Sequence, residues 1–168
     1  MRSPWQLPSV LSVCGFPPEL NLGQIRGLCA ASPLSLGVKV CGAQELMVCE
    51  HCLLSSQGPC NEDCASCTRR TVPFGLKDRK GYVFPVITDE AGRSHLYNSV
   101  TLDVVPDIPE LMTAGARAFM VDTTLMDVEQ TAQATGRVRK ALEKTIEGTG
   151  AVTKISHTTS GHLHRGIR

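Results

Sequence analysis

Apolar residues recur along the first part of the chain in strand and helix patterns. Residues 9–14 form a short β-branched run, which predicts a strand. Asn21 followed by Gln24 has the spacing of a helix capping box, and residues 36–40 predict a second strand. These signals predict a β-α-β unit within residues 1–48. The residues that share one face of its helix are Leu22, Ile25, Leu28 and Cys29.

A similar pattern returns over residues 101–148 and predicts an α-β-α unit. Its second helix is long, and its Val, Leu and Thr residues fall on one face. The signals in chain order are the cap pair Asp107 and Glu110, the strand 117–121, the cap pair Asp127 and Gln130, and the terminating Gly148.

The pattern changes between these regions. Residues 49–71 are rich in cysteine, and their apolar residues show neither helical nor strand periodicity. Residues 72–100 predict a β-hairpin, with its turn at 78–81, and a further strand. The tail 149–168 carries histidine and arginine without an apolar period. A complete (β/α)₈ barrel takes about 250 residues. The chain is therefore predicted to be α/β, either part of a barrel or a small α/β layer.

Composition narrows the function. The 168 residues include 17 basic and 16 acidic ones, which argues against a uniformly basic nucleic-acid coat protein. An aromatic content of 4% argues against a multi-ring platform for single-stranded nucleic acid. Eight cysteines are present, although a chain of this length can form a core without disulfides.

Localisation decides how the cysteines are interpreted. The sequence has no apolar run of signal-peptide length and no run of the roughly 20 apolar residues that span a membrane. We therefore expect a cytoplasmic protein that does not enter membranes. Thiols stay reduced there, so clustered cysteines predict metal ligands or catalytic groups.

Five cysteines lie within residues 49–67, and their spacing fits three kinds of site. Two C-x₂-C pairs, 49/52 and 64/67, resemble a structural zinc site with a short spacer. The C-x₃-C-x₂-C run from residue 60 resembles a radical-SAM triad, although Ser66 replaces the usual aromatic residue. The third possibility is a four-cysteine iron–sulfur cluster formed by Cys52, Cys60, Cys64 and Cys67. Spacing alone leaves all three open.

Longer blocks carry a resemblance to a known family. Residues 44–60, 78–86 (Asp-Arg-Lys-Gly-Tyr-Val-Phe-Pro-Val), 93–99 (Arg-Ser-His-Leu-Tyr-Asn-Ser) and 159–166 resemble the collagenase-like peptidases of unassigned mechanism, peptidase family U, number thirty-two. The resemblance implies the later half of a TIM-like barrel, and hence a partial TIM-like (β/α) barrel with an inserted cluster loop and hairpin. It also implies a [4Fe–4S] cluster.

The same resemblance implies two activities. The family is named for proteolysis, whereas better-understood members hydroxylate RNA bases, with prephenate as oxygen source, or the ubiquinone ring. Cys52, Cys60 and Cys64 fall on the family's cluster cysteines. Many members have a further cysteine where this chain has Gly92, so we expect Cys67 to supply the fourth ligand.

Several other residues are candidates for substrate binding. Arg93, His95 and Asn98 can hold an anionic substrate, although the same stretch also fits an ordinary edge strand. With the resemblance, His162 and Arg165 are expected to fold back towards the cluster rather than form a solvated tail. Residues 69–80 hold five basic residues and one acidic residue, which suits either RNA phosphates or a solvated hairpin.

The residues favour redox chemistry over hydrolysis, because no Gly-x-Ser-x-Gly or His-Glu-x-x-His motif is present. The leading hypothesis is an iron–sulfur protein that supports hydroxylation of an RNA base or a small aromatic or anionic substrate, with a second subunit completing the barrel. One alternative is a peptidase for unfolded or collagen-like chains. Another is a zinc-stabilised nucleic-acid-binding module without catalysis. No catalytic residue is assigned.

Overall fold

The computed structural model describes residues 13–17, 19–60 and 62–165. They form two compact units. We call residues 13–42 and 102–165 the α/β unit, and Ala43–Thr101, which is inserted between them, the cysteine unit. Part of the predicted run 9–14 and the end of the tail, 166–168, lie outside the described residues.

The described secondary structure consists of short strands and three α-helices. The strands are β1 (Val13–Gly15), β2 (Ser35–Gly42), β3 (Glu45–Cys49), β4 (Phe74–Lys77), β5 (Val83–Thr88), β6 (Ser94–Tyr97), β7 (Leu102–Asp103) and β8 (Ala118–Asp122). The helices are α1 (Leu22–Ala31), α2 (Ile108–Thr113) and α3 (Val128–Glu147). This mixture confirms the α/β prediction.

The predicted capping boxes start α1 and α3. In each, the side chain of the cap residue, Asn21 or Asp127, accepts the N–H of the residue three positions on, and that glutamine returns a hydrogen bond. Gly148 ends α3 in the left-handed conformation that glycine tolerates best. These reciprocal bonds satisfy backbone groups that a helix end leaves free.

The predicted cap of α2 by Asp107 is wrong. The backbone of Asp107 has φ −89° and ψ 2° rather than the extended conformation of a capping residue, and its side chain makes no capping hydrogen bond. Instead, its carboxylate lies 3.2 Å from Nε2 of His164. Burial raises the pKa of Asp107, and the nearby His164 opposes that rise.

The sheet of the α/β unit is built around β2. Strands β1 and β8 run parallel to β2 on either side, and β7 pairs antiparallel with its last residues, Cys41 and Gly42. The helices cover an apolar core. Its most buried members are Ile25, Val40, Val104, Val105, Ile108 and Leu111.

Gly42 is required where β2 meets β8. Its φ is +116°, and a Cβ atom there would lie 1.9 Å from the carbonyl oxygen of Asp122. Any side chain would force the two strand ends apart, so the glycine sets their close approach.

The cysteine unit contains an antiparallel sheet in the order β3-β6-β5-β4. The hairpin turn predicted at 78–81 is confirmed between β4 and β5, and Asp89–Arg93 forms a matching turn between β5 and β6. In both turns the first aspartate accepts two backbone N–H groups and the fourth residue is a glycine with positive φ. The interpretation of β6 as an edge strand is wrong, because β3 pairs with its outer side.

No helix in the described ranges combines the length and apolar character that a membrane crossing needs.

Candidate metal centre

The cysteine loop, residues 49–67, lies against one face of the sheet in the cysteine unit. Cys52 and Cys67 each have an extended backbone and each directly precede a 3₁₀ turn, Leu53–Gln57 and Thr68–Thr71. The N–H of Leu53 donates to Oγ of Ser94 in β6 at 2.9 Å. That hydroxyl lies 3.3 Å from the Thr88 hydroxyl in β5. Two buried hydroxyls therefore fix the start of the loop to the sheet.

Two arginines hold the rest of the loop. Arg69 donates to the carbonyl oxygens of Gly58 and Pro59 at 3.2 and 3.0 Å. Arg70 donates to the carbonyl of Cys64 at 2.9 Å and, from Nε, to that of Thr88 at 3.0 Å. Arg69 and Arg70 are half-buried and do not belong to the solvated basic surface that the run 69–80 suggested. Their guanidinium groups are used inside the loop, because its irregular backbone leaves carbonyl groups without sheet partners.

The charges of three other cysteines act on the Cys64 thiol. Burial raises the pKa of the Cys64 thiol, the charges of Cys52, Cys60 and Cys67 raise it further, and Arg70 opposes them. Repulsion of this kind acts only between nearby charges, so Cys52, Cys60 and Cys67 each lie within electrostatic range of Cys64. These are the same four residues as in the four-cysteine arrangement predicted from the sequence.

The described part of the chain holds no group of three or more His, Cys, Asp or Glu side chains already placed to hold a single metal ion. The four thiols are soft donors, suited to iron, zinc or an iron–sulfur cluster. A bound cationic centre would turn their repulsion into attraction, since metals bind the thiolate form. The donor set therefore fits a sulfur-ligated centre.

Gly92 lies against this group of thiols. Its φ is +81°, and a Cβ atom there would be 2.8 Å from Sγ of Cys64. The glycine thus serves two purposes, since it allows the turn between β5 and β6 and leaves space for the thiol.

The other cysteines occupy different positions. Cys49 ends β3, where its sulfur accepts the N–H of His51 at 3.4 Å. Cys14, Cys29 and Cys41 lie in β1, α1 and β2 of the α/β unit, as expected for strand and helix residues outside the cluster. Burial and the charge of Asp103 raise the pKa of Cys41, which keeps its thiol protonated.

His95 is held between two carboxylates on the second face of the sheet. Its Nδ1 lies 2.5 Å from Oε1 of Glu45, and its Nε2 lies 3.5 Å from Oδ2 of Asp89. The hydrogen bond to Glu45 raises the pKa of His95, burial opposes that rise, and Asp89 adds to it. The imidazole is therefore stabilised in its charged form.

Arg93 shares Asp89 with His95, at 2.8 Å from the same carboxylate oxygen. Asp89 therefore joins the side chains of Arg93 and His95. The N–H of Arg93 lowers the pKa of Asp89 to about 2, with burial opposing it. Asn98 lies apart from them, where its backbone and side chain both donate to Gln44 at 2.8 and 3.3 Å.

The tail packs against the α/β unit. Leu163 is buried in its core, and the Leu163 carbonyl accepts the N–H of Leu22 at 2.9 Å. His162 is half-buried, whereas Arg165 is exposed. The expectation that these two side chains reach a cluster stays a prediction.

A second polar feature is Asp122, at the carboxyl end of β8, with Lys39 of the neighbouring strand β2. Oδ2 of Asp122 is 2.7 Å from Nζ of Lys39, and Oδ1 accepts the N–H of Thr124 at 3.1 Å. Burial raises the pKa of Asp122, but the bonds from Lys39 and Thr124 outweigh it, so the pKa lies below its usual value. Asp122 therefore also caps the following turn.

Comparison with known proteins gives a consistent result. The model of peptidase family U32 matches residues 14–167. The 23S rRNA 5-hydroxycytidine C2501 synthase of Escherichia coli (strain K12) is 25% identical to this chain over 153 residues. The match covers 86% of this chain but 22% of the relative, so the chain spans about a fifth of that protein's length. No solved structure shows a significant match.

Proposed function

Because this chain belongs to peptidase family U32, we propose that it is an iron–sulfur protein that supports hydroxylation of an RNA base or a small aromatic substrate. The observation that carries the proposal is the grouping of four thiols around Cys64 on a loop fixed by Ser94, Arg69 and Arg70. The relative that acts on 23S rRNA supports RNA as the substrate class.

In this proposal Cys52, Cys60, Cys64 and Cys67 hold a [4Fe–4S] cluster, which would supply the electron-transfer chemistry that oxygen insertion needs. The protein residues position it. Arg70 joins the Cys64 carbonyl to β5 and places a positive charge beside the thiolates, and Gly92 leaves room for the Cys64 sulfur. The charge of Arg70 favours the thiolate form of Cys64 on which ligation depends.

The geometry of His95 favours hydroxylation over peptide hydrolysis. A cysteine peptidase needs an imidazole that can take the proton of its thiol. Both ring nitrogens of His95 face carboxylates instead, and its raised pKa favours the charged form. His95 therefore suits fixing β3 to β6, through Glu45, better than it suits acting as a general base.

The α/β unit is proposed to be part of a TIM-like barrel that a second subunit completes. Strands β1, β2 and β8 are parallel neighbours, and α1 and α2 lie in the connections between them, as in consecutive barrel units. Within the described residues, β8 pairs only with β2, and Met120 on β8 is 50% exposed. A further parallel strand would find free backbone groups there.

Metal and sulfide analysis of anaerobically purified protein tests the proposal. We expect a brown protein with about four irons and four acid-labile sulfides per chain. A colourless protein that contains zinc and no sulfide would overturn it in favour of a zinc-stabilised module. Cleavage of gelatin that survives iron chelation would instead establish the peptidase.

Two matched glycine substitutions test the position of Cys64. Gly92→Ala and Gly81→Ala each place a side chain at positive φ in equivalent turns, at a cost of about 1 kcal/mol. Only Gly92→Ala also places a methyl group 2.8 Å from Cys64 Sγ, whereas the nearest atom to a Cβ at Gly81 is Lys77 Cε at 3.9 Å. We expect Gly92→Ala to lose most of its iron and Gly81→Ala to keep it, as measured by iron content per folded chain. Equal retention would show that Cys64 is not a ligand.

A further inference from the structure

The turn between β4 and β5 carries the basic residues that the cysteine loop does not use. Lys77, Arg79 and Lys80 are all exposed. The acidic residue among them, Asp78, accepts the N–H groups of Lys80 and Tyr82 at 2.8 and 2.9 Å. These bonds engage the carboxylate of Asp78 with the backbone of the turn, while the three cationic side chains next to it in sequence are exposed to solvent.

An aromatic ring stands next to these charges. Tyr82 is 53% exposed, and it is the only aromatic residue among the large exposed apolar side chains of the described residues. Tyr82 directly precedes β5, and its carbonyl accepts the N–H of Asp78 at 2.9 Å, which extends the pairing of β4 with β5 by one residue. Its position two residues before Phe84 continues the face of the strand that carries Phe84, Val86 and Thr88. Thr88 contacts Ser94, which binds the cysteine loop. The exposed ring is therefore on the sheet face that carries the four thiols.

We propose that the hairpin tip, Lys77–Val83, binds single-stranded RNA and directs it along this face towards the cysteine loop. The three cations would contact phosphates, and Tyr82 would stack on one base. The low aromatic content excludes a platform of several rings but is compatible with one ring beside a cationic turn. This inference rests on the proposed RNA-directed function and assigns the surface by which that function selects its substrate.

Binding of a fluorescently labelled, unstructured RNA of about 12 nucleotides to the full chain tests the inference, since single-strand sites span about 4–16 nucleotides. Anisotropy is measured over roughly 50 to 200 mM salt. Each phosphate contact contributes about 0.7 to the slope of log affinity against log salt concentration. The triple variant Lys77→Gln/Arg79→Gln/Lys80→Gln should therefore reduce the magnitude of this slope by about 2. Arg139→Gln/Lys140→Gln, on the exposed side of α3, is the control and should leave it unchanged.

Substitutions of Tyr82 distinguish the contribution of base stacking from that of the charged side chains. Tyr82→Leu should weaken binding by about 5- to 150-fold without changing the salt slope, because one base stack contributes about 1–3 kcal/mol. Tyr82→Phe keeps the ring and should bind like the wild type. All these residues are exposed, so circular dichroism should show the variants folded.

Four results would overturn the inference. They are a wild-type chain that does not bind RNA at low salt, an unchanged slope in the triple variant, an equal loss in the α3 control, and equally tight binding of polyglutamate. None of these results affects the iron and sulfide content, so failure here is distinguishable from failure of the proposed function.

Discussion

Replacing Cys64 by serine is expected to give a colourless protein that lacks both iron and acid-labile sulfide. Cys64 is the thiol whose pKa is raised by Cys52, Cys60 and Cys67, so it lies within electrostatic range of all three. A serine hydroxyl is a hard, weakly acidic donor and ligates iron poorly in place of a thiolate. Iron and sulfide per chain, measured after anaerobic purification, give the result directly.

The neighbouring cysteines supply matched controls for Cys64→Ser. Cys14→Ser changes an exposed thiol in β1 and should leave the iron content unchanged. Cys49→Ser should also retain the cluster, because Cys49 is not among the thiols that act on Cys64. Loss of iron in Cys49→Ser, together with retention in Cys67→Ser, would contradict the ligand set and favour a different four-cysteine site.

Features with local causes could be predicted from the sequence. The capping boxes at Asn21 and Asp127 need only residues three positions apart, and the turn at Asp78 needs a nearby glycine. The structure confirms each of them. The Asp107 cap failed although its sequence spacing was suitable, because a preceding 3₁₀ turn sets a backbone conformation that its side chain cannot use.

Features that depend on distant partners were not predictable in the same way. Arg69 and Arg70 look like part of a basic run, and only the folded loop shows that carbonyls of Gly58, Pro59 and Cys64 accept their hydrogen bonds. Their position directly after the last clustered cysteine is the signal that could have indicated this role. Strand β3 was missed because Leu46, Met47 and Val48 are all about half exposed, so no alternation marks it.

Asp103 is the clearest example of a residue whose role depends on a distant partner. It lies in an apolar run with Leu102 and Val104, and a charge in such a run indicates a buried ion pair whose partner the sequence does not identify. That partner is Arg137 of α3, whose two terminal nitrogens lie 2.7 and 3.0 Å from the Asp103 oxygens. The same carboxylate also accepts the N–H groups of Val105 and Ile155.

Asp103→Ala is therefore expected to lower the free energy of unfolding by about 3–5 kcal/mol, because Arg137 and two backbone N–H groups would lose their acceptor inside the protein. The Asp103 side chain is 1% exposed and that of Arg137 is 19% exposed. The Arg139–Glu143 pair on α3 is 83% and 58% exposed, so Arg139→Ala should cost less than about 1 kcal/mol. Urea unfolding followed by far-ultraviolet circular dichroism measures both. Equal losses would mean that the buried pair contributes no more than a surface one.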